Sequence, residues 1–172
     1  YHIWVIHRPD TGVTDALFSA SASAPTMPTN YTKKKCIGSI VRAGATILAF
    51  NQYGNDFYLD TPVLDHTTGA SAGTSAITVT LASVPDGVKV KAYVNAVVID
   101  NSNYIYVSSL DNTDSAPSTT VAPLASFASS GTNHTAQLSV WTSTSATFRA
   151  RQSSNSASGF RFATLGWMDT RR

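Results

Sequence analysis

Residues 76–107 read AITVTLASVPDGVKVKAYVNAVVIDNSNYIYV, and this stretch decides the fold. Ile77, Val79 and Leu81 alternate with Thr78 and Thr80, the period-two pattern of a half-buried strand. Pro85-Asp86-Gly87 signals a turn. Val88, Val90 and Ala92 then alternate with Lys89, Lys91 and Tyr93, before the apolar run Ala96-Val97-Val98-Ile99. Asn101-Ser102-Asn103 is a second turn signal, and Tyr104-Ile105-Tyr106-Val107 a further aromatic and β-branched strand.

The same texture extends outward in both directions. His2–His7 and Val13–Ser19 read as strands around Pro9-Asp10-Thr11-Gly12, and Ser21–Asn30 as an extended loop. Strands follow at Ile37–Arg42, Thr46–Tyr53 and Asp56–Asp60, and later at Thr135–Ser143, Ala146–Gln152 and Gly159–Met168. Thr67–Ser75, small and polar, reads as a loop and a soft division of the chain. Ten to twelve short strands with frequent turns predict an all-β, antiparallel sandwich of jelly-roll type with little helix. Residues 1–172 read as a single domain, the C-terminal part of a longer chain.

Composition agrees. All ten acidic residues are Asp, there is no Glu, and Ser plus Thr number 44 of 172. Ser, Thr, Asp and Asn compete with helical backbone bonding, so this mixture disfavours helices. The absence of Glu also excludes chemistry that needs one, such as a paired-Glu glycosidase. A net charge of +2 is not the basic excess of a nucleic-acid binder. No apolar run reaches the ~20 residues of a helical membrane span. The one cysteine, Cys36, cannot form an internal disulfide.

Motifs for catalysis are missing: there is no GxSxG and no phosphate-binding glycine loop. We therefore expect no enzyme and no cofactor. His2 and His7, five apart, fall on opposite faces of one strand. Asp60, Asp65 and His66 lack metal-ligand spacing, and Asp111–Asp114 lacks the elements of a calcium loop. Both read as turns or solvated surface. Cys36 reads as an inert thiol, and Lys33-Lys34-Lys35 as a guarded strand edge. Asp56 and Asp60 are the one carboxylate pair with aromatics nearby that a two-carboxylate hydrolase would require.

The aromatic residues are more informative. Sugar-binding surfaces lay ring faces against sugar C–H groups and use Asn, Asp and Gln for hydroxyls. Two clusters fit: Tyr53, Asn55, Asp56 and Tyr58, beside Asn51 and Gln52, and the pair Asn103 and Tyr104, beside Tyr106. Trp4, Trp141 and Trp167 lie within strand patterns and read as core.

Several segments carry a family likeness. They are Trp4-Val5-Ile6 before Arg8-Pro9-Asp10-Thr11-Gly12, then Asp15–Ser19, Ser23–Pro28 and Tyr31–Lys35. Ile37–Ile40 and Phe50–Gly54 continue it, and Leu165-Gly166-Trp167-Met168-Asp169 closes it. On these residues the chain resembles tail-fibre or minor structural virion proteins of tailed bacteriophages and prophages. The resemblance implies a structural, non-enzymatic part of the virion, assembling with other virion proteins and with copies of itself. Its work would be structural attachment, host-surface recognition or both, and if it binds a receptor the expected ligand is a bacterial cell-surface polysaccharide. A carbohydrate-binding module of a secreted protein is the alternative, and it would be monomeric.

Overall fold

A computed structural model describes residues 1–69, 72–99, 104–118, 120, 125–126, 133–155 and 159–170. Among these residues there are fourteen strands and no helix. The count exceeds ten to twelve because very short ladders add to it: β4 (Arg42–Ala43), β5 (Thr46–Ile47) and β11 (Ala125–Ser126).

Two sheets form the body. The first contains β6 (Phe50–Tyr53), β7 (Asp56–Thr68), β9 (Lys91–Ile99), β12 (His134–Trp141) and β14 (Gly159–Met168), in the order β12-β9-β14-β7-β6. The second contains β8 (Ile77–Thr80), β10 (Tyr104–Ser108), β11 and β13 (Thr147–Gln152), in the order β11-β10-β13-β8. All ladders are antiparallel. The pairs β7·β14, β8·β13, β9·β12 and β10·β11 nest inside one another, like a single long hairpin rolled up. That nesting is the jelly roll which the turn spacing predicts.

The core lies between the sheets. Ala92, Val94, Ala96 and Val98 of β9 face Val79, Ile105, Val107, Phe148 and Ala150 of the other sheet. Phe148 meets Phe162 edge-to-face with centroids 5.1 Å apart, a favoured aromatic geometry. Trp167 stacks on Phe57 at 5.3 Å, closing the core beside β6.

β7 is far longer than its sequence suggests, because Pro62 interrupts the pattern. The ladder to β14 jumps from Thr164 opposite Val63 to Gly166 opposite Tyr58, leaving Leu165 and residues 59–62 as a bulge. Proline has no N–H for a ladder, so a bulge is where a strand tolerates it.

Before the body comes a three-stranded sheet, β2-β1-β3, made of His2–Arg8, Val13–Ser19 and Lys33–Ser39. It buries Trp4 and Ile6 on one face. Lys34 reaches over the Trp4 ring at 5.4 Å and donates to the Ser23 carbonyl. The sheet joins the body through a buried polar contact: His2 Nδ1 lies 2.8 Å from Ser39 Oγ, which donates to Asp169 at 3.3 Å.

Candidate functional site

The five-stranded sheet turns one face to the core and the other outward. Phe57, Ala92, Val140 and Trp167 mark the buried face, so their strand neighbours point away from it. Cross-strand register then sets the outward side chains in rows. One row runs Tyr53, Asp56, Met168, Lys91, Trp141. The next runs Asn51, Tyr58, Gly166, Tyr93, Ser139. A third brings Leu64, Ala163, Asn95 and Gln137 together. With strands about 4.8 Å apart, five strands span roughly 19 Å.

Aromatic rings dominate the first two rows. Tyr53 is 66% exposed, Tyr58 40% and Trp141 41%. Tyr58 and Tyr93 stack nearly parallel, with centroids 5.5 Å apart, and Tyr53 leans on Tyr58 at 6.2 Å. Gly166 is the residue between those tyrosines in the ladder, where β7 comes close. A Cβ there would overlap the Phe57 carbonyl oxygen and come within 2.9 Å of Tyr58 Cα. The Tyr93 hydroxyl donates to Asp56. Burial, together with the Asp56 carboxylate, pushes the Tyr93 phenol well above its ordinary value. Asn51, Asn95, Gln137, Ser139 and Lys91 supply hydrogen-bonding groups around the rings.

The expected residues divide. Tyr53, Asp56 and Tyr58 come together on this face. Asn55 sits in the β6–β7 turn beside Gly54, which adopts φ +61°, and its carbonyl accepts the Asp169 N–H at 2.9 Å. Tyr104 belongs to the other sheet, where it pairs with β11 and exchanges hydrogen bonds with Ser153, so it is no part of this face. Asn103 lies outside the described residues.

Trp141 corrects the sequence reading: Trp4 and Trp167 are buried, but Trp141 points outward. The signal was present, because Trp141 shares its alternation with Gln137 and Ser139, opposite Leu138 and Val140. Tyr93 likewise alternates with Lys89 and Lys91, on the side away from the core.

Other candidates resolve into structural roles. Asp65 accepts from Ser83 and Thr164, and His66 stacks on Phe160 at 4.9 Å. Among the described residues no group of three or more His, Cys, Asp or Glu converges as a metal site would. Asp111 pairs with Lys89 at 2.6 Å, and Asp114 with Arg151 at 2.6 Å. Asp56 and Asp60 lie four residues apart on one strand, about 13 Å. A two-carboxylate hydrolase uses about 5–9.5 Å. His2 and His7 point to opposite faces, toward Ser39 and Thr14. Cys36 is half-buried opposite Trp4.

Compared with known proteins, the chain matches no family model, no curated protein and no solved structure.

Proposed function

We propose that this chain is a virion component of a tailed phage whose jelly roll binds a glycan of the bacterial surface on the outward face of its five-stranded sheet. One observation carries the binding part: Tyr53, Tyr58, Tyr93 and Trp141 share one outward face with Asn51, Asn95, Gln137 and Ser139. Rings that stack on sugar faces, interleaved with amides and hydroxyls, form a surface suited to an extended neutral chain. The virion part rests on the sequence resemblance at both ends of the chain, and a jelly roll suits it, being an architecture of viral and lectin domains. Weak sites repeated on a homo-oligomer would gain strength by multivalency.

The test is light scattering of the purified chain, with and without a panel of bacterial surface polysaccharides. The expected result is a stable oligomer whose mass shifts with at least one polysaccharide. Replacing Tyr58 and Trp141 by Ala should weaken that binding tenfold or more while the β-sheet circular dichroism spectrum is kept. A strict monomer that binds a glycan would favour an isolated carbohydrate-binding module. A chain that binds no glycan would overturn the attachment role.

A further inference from the structure

At the edge of the outward face the surface folds into a cleft of about 340 Å³ between β10 and β12. Two strand edges border it. Among the described residues β12 ends its sheet, and β11 covers β10 at Tyr104 and Ile105. Among the described residues, the next part of β10 has no strand on that side. Tyr106, Ser108, Ser109 and Asn112 line one wall, Ser139 and Trp141 the other.

Ser108 is the informative residue. It is 2% exposed, and among the described residues its hydroxyl has no hydrogen-bond partner. Buried polar groups are nearly always paired, so an orphan hydroxyl in a cleft wall calls for a ligand or a water. The wall beside it is held in place. Lys89 grips Asp111 at 2.6 Å, and Arg149 donates to the Asn112 carbonyl at 2.8 Å. Among the described residues no Lys, Arg or Asp lines the cleft. Its chemistry is therefore two aromatic side chains, several hydroxyls and an amide, with no fixed charge. Its volume lies at the small end of ligand sites, which run from about 300 Å³ upward.

We propose that this cleft is a subsite for one neutral sugar ring, an end residue or side branch of the glycan whose chain lies across the outward face. The proposal rests on the glycan reading above. Continuity supports it, because Trp141 and Ser139 end the first two rows and also wall the cleft. A uronic or sialic acid would bring a charge that nothing in the lining neutralises.

The experiment is a ¹H–¹⁵N NMR titration of the whole chain with glucose, galactose, N-acetylglucosamine and glucuronic acid. It is run beside polysaccharide binding by wild type and Ser108→Ala. Saturable shifts of the Ser108, Ser109, Asn112 and Ser139 amides are expected with at least one neutral sugar, and none with glucuronic acid. Ser108→Ala, which removes an unpaired hydroxyl, should melt no lower than wild type and bind that sugar at least tenfold more weakly. The cleft proposal is overturned if polysaccharide binds but these amides stay still, if Ser108→Ala binds unchanged, or if glucuronic acid binds equally well. Those results, a cleft holding water only, would leave the glycan-binding face standing. An extended peptide shifting the β10 and β12 amides where sugars do not would make the cleft a strand-docking groove. Absence of all glycan binding by wild type removes both readings.

Discussion

Gly166 decides how the outward face is built. It lies between Tyr58 and Tyr93 in its row, and its missing side chain lets the β7 backbone at Phe57 and Tyr58 approach closely. Gly166→Ala drives a methyl into the Phe57 carbonyl, and the backbone must shift to admit it. We expect a loss of about 3 kcal/mol, at the upper end for overpacking, read from urea unfolding. Tyr93 supplies a second test. Its phenol is held protonated by burial and by the Asp56 carboxylate. A tyrosine whose folded pKa is raised contributes stability below its unfolded value, about 10, and that contribution fades as pH climbs through the folded value. Wild type should therefore lose stability more steeply above pH about 10 than Tyr93→Phe. An ultraviolet titration of the variant should lack the latest part of the phenolate rise. Identical curves for the two proteins would mean that Tyr93 is not the clamped group. Of this site, Tyr53, Asp56 and Tyr58 were legible in the sequence because they are neighbours in it. Tyr93 and Trp141 reach the same rows only through register between strands distant in the chain, which local spacing does not encode.

Among the elements, β13 and β14 bear the tightest part of the core. Phe148 is fully buried and abuts Phe162. Phe148→Ala should cost about 3–5 kcal/mol in chemical denaturation, by lost burial plus the cavity left behind. β9 was the most readable element, since its buried residues Ala92, Val94, Ala96 and Val98 follow strict alternation. Val97 and Ile99 blur the pattern because the outer side of a central strand is itself half covered. β7 was the least readable. Its bulge at 59–62 absorbs Pro62 and breaks the alternation, so a thirteen-residue strand looks in sequence like a five-residue one. The two-residue ladders β4, β5 and β11 are too short for any period to register. The jelly roll as a class was legible because turn signals recur through the chain. The N-terminal sheet was legible only in part, since β3 joins β1 across an extended loop.

The whole molecule is governed by nested pairing. Asp56 must find Met168, and Lys91 must find Trp141, before the five-stranded sheet exists, and Val79 must find Phe148 before the second does. Such distant contacts carry a large loop-closure cost, and sheets of this kind fold slowly. Refolding followed by tryptophan fluorescence should take on the order of milliseconds to seconds, and a microsecond return would contradict the topology. Nesting also sorts the ends of the strands. The chain enters β7 and leaves β14 at one pole, where the Asp169 N–H meets the Asn55 carbonyl and the N-terminal sheet is attached through Ser39. The described ends of β7, β9, β11 and β13 and the beginnings of β8, β10, β12 and β14 all lie at the other pole. Mutation at those far strand ends can therefore proceed without disturbing the mooring. A lineage that had to keep its anchorage while its surroundings changed would find its variation concentrated there.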